Sequence, residues 1–237
     1  KPEVKFTAET QNIGERIARL IRDGSTLQLG IGAIPDSVLA TLVSRKGMRI
    51  WTEMFSDGVL AMHRAGALDA ELPITASFVF GSQELYDWLD LNRQVRMFRT
   101  EKTNDPGQIA KQARMTSINS ALQIDLYDQA NASHVRGQIY SGFGGSTDFI
   151  VGALHARGGA SFMALQSWHP KANVSTIVSK LTENVTSFQH SHVVTENGVA
   201  DCFGHSQADQ ARNLISQAAH PSVRDELTEA ARSFGLF

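Results

Sequence analysis

Cysteine is nearly absent: Cys202 is the only one in 237 residues. No intramolecular disulfide can form, and a chain of this length does not need one, so a reducing compartment is expected, with the cytoplasm as default. Charge of one sign is also missing. With 22 basic against 24 acidic side chains the formal charge is −2. No global field therefore favours nucleic acid or an anionic membrane, and any phosphate must be held locally. No apolar run approaches the ~20 residues that cross a bilayer, and the opening KPEVKFTAETQ lacks a signal-peptide stretch, so neither membrane insertion nor export is expected. No internal repeat, low-complexity tract or Ser/Pro/Gly linker divides the chain, and one domain over residues 1–237 is expected. The first residue is Lys rather than Met, which predicts a piece of a longer protein.

What is present is enough for a sizeable core: 42% of residues are apolar and 19% charged. Ile13, Ile17, Leu20 and Ile21 recur at helical spacing, predicting an amphipathic helix near Glu9 to Arg22. STLQLG follows as a strand, GIGAIP as a glycine turn and DSVLATLV as a helix. MRIWTE, SDG and VLAMHRAGAL repeat strand, turn and helix. PITASFVFG predicts a buried strand, SQELYDWLDL a helix capped by Ser82, and QVRMFRT a further strand. From Met115 the signal becomes short strands separated by turns, with one helix at Thr147 to Ala156. The tail from Ser206 is helical and broken at His220-Pro221. The fold class is α/β: a layered sheet with helices on both faces and a strand-rich second half.

Three segments carry candidate chemistry. The turn Gly30 to Pro35 joins a strand to a helix, so its glycines let backbone amides approach an anion at a helix N-terminus. The structural alternative is a tight turn with Pro35 at the first helical position. As a dinucleotide fingerprint the turn fails where Pro35 replaces the third glycine, which disfavours a nicotinamide enzyme. In WTEMFSDG, Glu53 stands just past the apolar end of a strand. It shares an edge with Gly30 if the two strands are parallel neighbours, or else is a solvated Glu before a turn. In YSGFGGSTDF, Gly142, Gly144 and Gly145 precede a helix and make either an anion nest or a structural bulge, with Asp148 placed to cap or hold the loop.

Taken in order, QLGIGAIPDSVL, TEMFSDGV, TNDPGQIA, INSALQIDLYDQANAS, SGFGGSTDFIVGALH, VVTENGVAD and AAHPSVRDEL resemble the C-terminal domain of the acetyl-CoA hydrolase/transferase family, which includes 4-hydroxybutyrate and acetate CoA-transferases. The likeness runs from about Gly24 to Leu227. It implies transfer of CoA between short-chain carboxylic acids, with Glu53 as nucleophile and a glutamyl-CoA thioester as intermediate. It also implies amides around Gly30, Ile31 and Gly144 as oxyanion donors, and Gly30, Gly32, Ala33, Gly142, Gly144 and Gly145 against the CoA moiety. The substrates implied are acyl-CoA and a small carboxylic acid, with no metal. Family members carry an N-terminal domain before this region and form the site between the two halves. The implied partner is therefore that N-terminal domain, and apolar surface left without it predicts a homo-oligomer. Alternatives on the same scaffold are acyl-CoA hydrolysis and a non-catalytic CoA-binding or assembly domain.

Two family cations are replaced here. Thr176 stands where many members have an Arg after VS, and TSFQ, Thr186 to Gln189, replaces a TTPR-like stretch. Other residues are expected to be structural. His190 and His192 alternate on one strand face, but no third ligand follows at a convincing spacing. Asn131-Ala132-Ser133 matches a glycosylation sequon without a secretory signal. Cys202 is a small buried hydrophobe, and Trp168-His169-Pro170 and Tyr86-Asp87-Trp88 pack, although either aromatic is placed to line an acyl pocket.

Overall fold

The computed structural model describes residues 6–183, 185 and 189–237. The helix expected near Glu9 is α1 (Ala8–Leu20), opened by reciprocal hydrogen bonds between Thr7 and Thr10 that satisfy otherwise orphaned N–H groups. It is followed by β1 (Thr26–Leu29), α2 (Ala33–Leu42), β2 (Arg49–Ile50), β3 (Met54–Phe55) and α3 (Asp57–Arg64). The segment PITASFVFG is not one strand. It divides into β4 (Ile74–Ala76) and β5 (Phe78–Val79), because β4 pairs with β6 (Val95–Met97) whereas β5 pairs with β3. Between β5 and β6 lies α4 (Gln83–Leu89), where the Ser82 hydroxyl accepts from the Leu85 N–H as its N-cap. Two four-residue helices, α5 (Thr100–Thr103) and α6 (Pro106–Ile109), lead into β7 (Met115–Ser120).

The second half adds β8 (Gln123–Asp125), β9 (Ala130–Asn131), β10 (His134–Val135) and β11 (Gln138–Ile139), then α7 (Ser146–His155) and β12 (Ala160–Ala164). The short strands β13 (Trp168–His169), β14 (Val174–Ser175) and β15 (Ile177–Val178) precede β16 (His192–Val194) and β17 (Val199–Asp201). The tail is α8 (Gln207–Asn213), a π turn at Leu214–Ala218 and α9 (Arg224–Ser233). Ala219 is extended ahead of His220-Pro221, where the sequence places the break.

The central sheet has the order β17-β16-β12-β7-β1-β2. Its pairs are parallel except β16 with the edge strand β17. Both faces are covered. On β12, Phe162 joins the core under α1 and α2 with Ile13, Ile17 and Leu39, while Met163 joins the opposite core with Ile150, Leu214 and Leu227. From β1 the chain moves to β2 on one side, and β7, β12 and β16 extend on the other. The order therefore reverses between β1 and β7, and in open α/β sheets the crevice at that reversal, beyond the carboxyl ends of the strands, is where ligands bind. Among the described residues no helix is long and apolar enough to cross a membrane.

Candidate functional site

A cavity of about 630 Å³ opens at this reversal. Its walls include Gly30 and Ile31 after β1, Glu53 and Met54, Phe78 and Phe80 around β5, Asn119 and Ser120 at the end of β7, and Gly142 to Ser146 ahead of α7. The parallel pairing inferred for Glu53 and Gly30 is present: Leu27 of β1 lies opposite Ile50 of β2, and the Trp51 N–H donates to the Leu27 carbonyl at 3.1 Å. Thr52, fully buried, then ties the two strand ends together. Its hydroxyl accepts from the Leu29 N–H at 3.4 Å and donates to the Met54 carbonyl at 2.8 Å. The Glu53 carbonyl accepts from the N–H groups of Ser77 and Phe78, so the backbone is held while the half-buried side chain faces the cavity.

Gly145 is the point of closest approach. A Cβ there would lie 2.2 Å from Asn104 Nδ2 and 2.8 Å from Glu53 Oε2, so only glycine lets α7 begin against this carboxylate. Gly142 and Gly144 line the same cavity and are exposed, Gly144 with φ of 63°. Of the residues expected against CoA, Gly32 and Ala33 face elsewhere, into a neighbouring cavity of about 340 Å³ that shares Ile31 and Ser120 with the first. Thr176, at the position of the family Arg, is buried on that second cavity with its hydroxyl donating to the Gln166 carbonyl. Thr186, Ser187 and Phe188 of the other replaced segment lie outside the described residues. Pro35 is not at the first helical position. Gly32 is the N-cap of α2, so Pro35 is third, where its missing N–H costs no helical bond.

Three contributors escaped the sequence reading. Gln28 and Asn119 project from adjacent strands and lock each other: Gln28 Nε2 donates to Asn119 Oδ1 at 3.1 Å, and Asn119 Nδ2 donates to Gln28 Oε1 and Ser117 Oγ. Both line the cavity as fixed amides, and the signal was a polar residue inside each buried strand. Asn104 is held by the Thr103 hydroxyl, and the Thr103 carbonyl accepts from Trp51 Nε1 at 2.9 Å. Asp148 makes no capping bond among the described residues; burial raises its pKa.

The structural readings fare as follows. His190 Nδ1 pairs with Asp128 in the interior and His192 Nδ1 with Asp201, so each ring has its own carboxylate rather than a shared ligand. Among the described residues no group of three or more His, Cys, Asp or Glu could hold a metal. Asn131 is buried with its amide donating to the His134 carbonyl, which is incompatible with glycan attachment in this fold. Cys202 is fully buried, and burial pushes its thiol pKa up. Trp168 packs against His220 and Trp88 against His63; Trp168 also lines the second cavity.

Comparison with known proteins places this geometry. The chain is 40% identical over 225 residues to 4-hydroxybutyrate coenzyme A transferase of Clostridium kluyveri, covering 91% of this chain and 52% of that protein. It is 30% identical to an acetyl-CoA hydrolase of Kluyveromyces lactis, covering 90% of this chain and 42% of that protein. The crystal structure of RipA from Yersinia pestis superposes with a TM-score of 0.94 at 34% identity, covering all of this chain and 56% of that one. The chain thus spans about half the length of the curated relatives it matches. Residues 81–231 match the acetyl-CoA hydrolase/transferase C-terminal domain, and the chain belongs to that family.

Proposed function

We propose that this chain carries the nucleophile-bearing half of a CoA-transferase, with Glu53 as the attacking carboxylate. One observation carries the proposal: among the described residues lining the cavity Glu53 is the only ionisable one, and both glycine turns line that cavity with it. A Glu53 oxygen attacks the acyl-CoA carbonyl carbon and displaces CoA as its thiolate, leaving a mixed anhydride. The thiolate attacks the Glu53 carbonyl carbon, forms the glutamyl thioester and releases the first acid as its carboxylate. A second carboxylate reverses both steps and leaves as the new acyl-CoA. Each tetrahedral intermediate bears an oxyanion, for which the amides at Gly30, Ile31 and Gly144 are the proposed donors, worth several kcal/mol when preorganised. Gly142 and Gly145, with Gly32 and Ala33 in the adjoining cavity, are the proposed contacts for the CoA moiety.

The other wall of the cleft is assigned to an N-terminal half, since the relatives are about twice as long. Ile31 is 64% and Phe143 67% exposed at the cavity mouth, an apolar rim suited to burial by that half or by a second copy of the chain. A cytoplasmic location fits the single buried cysteine. In the full-length enzyme, borohydride added after acyl-CoA should reduce a thioester at Glu53 to the alcohol, located by mass spectrometry. E53Q should abolish exchange; turnover by E53Q at the wild-type rate would end the proposal. Hydrolysis is the second reading, favoured by the likeness to an acetyl-CoA hydrolase. Acceptor-dependent CoA exchange selects transfer, and CoA release at the same rate without an acceptor selects hydrolysis.

A further inference from the structure

The opposite edge of the sheet is built from different chemistry. There the strand order β2-β1-β7-β12 brings the residues just before or at each strand start side by side: Arg49, Gly24 and Ser25, Arg114, and Arg157 with Gly158. Arg49, Arg114 and Arg157 line one cavity of about 460 Å³ together with Gly24, Ala113 and Gly158. These residues are drawn from Gly24 to Gly158, and only the parallel register gathers them.

Three guanidinium groups line one depression, with Arg114 and Arg157 exposed, and an anion seated among them would offset their like charge. Among the described residues no carboxylate pairs with Arg114 or Arg157. Arg49 Nε lies 3.5 Å from Asp69 Oδ2 yet makes no hydrogen bond there, although it is itself buried. The Arg114 Nη1 donates to the Asp23 carbonyl at 2.7 Å, a loop oxygen, which leaves the rest of its fork unused. The backbone at Arg114 is also in the left-handed region, with φ of 48°, a conformation costing about 1–2 kcal/mol for a residue with a Cβ. Its N–H donates to the Arg157 carbonyl, so the strained residue is locked beside the second arginine. On either side, Gly24 and Gly158 bring backbone close: positions a Cβ would take lie 3.4 Å from Arg114 Nη1 and 3.6 Å from Arg114 Cγ.

A structural role for the arginines would be to neutralise the carboxyl ends of helices that converge on this edge. Arg45 does that, donating to the Ala18 carbonyl of α1. Among the described residues none of the three cavity arginines donates to a helical carbonyl, and the Arg157 side chain makes no hydrogen bond or ion pair. We infer that Arg49, Arg114 and Arg157 form a second ligand site, at the amino edge of the sheet, for a small phosphate-bearing anion. Planar guanidinium forks match phosphate oxygens two at a time, and three of them suit a ligand with more than one negative charge. The site lies roughly 20 Å from Gly30 along the run of β1, the other end of the strand that leads to Glu53. A ligand there sits at the opposite edge from Glu53.

The test uses the full-length enzyme saturated with CoA, so that positions serving CoA phosphates are filled, and titrates inorganic pyrophosphate by calorimetry. One saturable binding event per chain is expected. R157Q, at an exposed side chain without a hydrogen bond or ion pair among the described residues, should weaken it about tenfold or more while leaving the melting temperature unchanged. R114Q should weaken it as much, with a small added loss of stability from the hydrogen bond to the Asp23 carbonyl, and R232Q on α9 should leave the binding unchanged. Absence of saturable binding in the wild type, or equal affinity in the R114Q/R157Q double variant, overturns the site. Loss of acyl exchange in E53Q with pyrophosphate binding intact separates this result from the proposal at Glu53.

Discussion

At Gly32, on the first glycine turn, φ is 120° and an added Cβ would meet nothing within 4 Å. At Gly145, on the second, φ is −96° and an added Cβ would strike Asn104 and Glu53. The first glycine is required by the conformation of its own backbone and the second by the space its neighbours occupy. Both precede a helix and both read alike as letters, yet a side chain would be paid for in strain at one and in displacement of Asn104 and Glu53 at the other.

The largest expected effect breaks the second turn. G145A must push aside either the Asn104 amide, which is buried and hydrogen-bonded to Thr103, or the Glu53 carboxylate. A misplacement on this scale costs on the order of 100-fold in exchange rate while the fold persists. G142A, three residues earlier, meets no protein atom and should stay within about 0.5 kcal/mol of wild type in stability, with any effect on exchange falling on KM for acyl-CoA rather than on kcat. Steady-state exchange assays and thermal melts of the two variants side by side measure the contrast, and a silent G145A removes it.

The next variant tests the first turn. G32A forces a Cβ into the left-handed region and should cost about 1–2 kcal/mol of stability by urea denaturation, with no clash to relieve. A D-alanine introduced at the same position by semisynthesis, being at ease with positive φ, should recover that loss. No rescue by D-alanine would show that space rather than conformation governs Gly32 as well.

Between the two turns sits Thr52, which couples β1 to the segment between β2 and β3 that bears Glu53. T52V keeps the volume and removes the hydroxyl, leaving the Leu29 N–H buried without an acceptor. About 1–2 kcal/mol of stability should be lost, with a fall in kcat exceeding any rise in KM, because the residue sets the spacing of Gly30 and Glu53. Unchanged kcat in a variant destabilised by that amount would make Thr52 a purely structural brace.

Much of this arrangement was legible from local pattern. Strand, glycine turn and helix at residues 26–42 follow from an apolar run, two glycines and a helical stripe, and Ser82 announces its cap three residues ahead of Leu85. The edge on which Glu53 stands followed once its strand was taken as parallel to β1. What stayed hidden depends on distant pairing. Asn119 looks like an interruption of a buried strand until Gln28, 91 residues earlier, supplies the complementary amide. Asn104 lies between α5 and α6, four residues each and too short to show a period, so the brace that presses it toward Gly145 leaves no local trace. Likewise the division of residues 74–79 into two ladders depends on which strands lie alongside, and a continuous apolar run carries no mark of the change.

The smallest effect concerns Asp148, in the first turn of the helix that Gly145 opens. Two influences oppose each other there. The helix N-terminus favours a negative charge, whereas partial burial disfavours it and raises the pKa above its ordinary 3.8. A carboxyl whose folded pKa is raised contributes its full stability below the unfolded value, and that contribution is lost as pH rises through the folded pKa. At neutral pH the folded protein therefore holds an ionised Asp148 at a cost. D148N stays neutral at every pH, so it should melt slightly higher than wild type at pH 7, with the advantage shrinking toward pH 3.8 and vanishing below it. Paired melts across that range give the sign directly. A D148N that melts lower at pH 7 would mean the helix dipole outweighs burial, and the second glycine turn would then present a positive end strong enough to hold an anion without help from its neighbours.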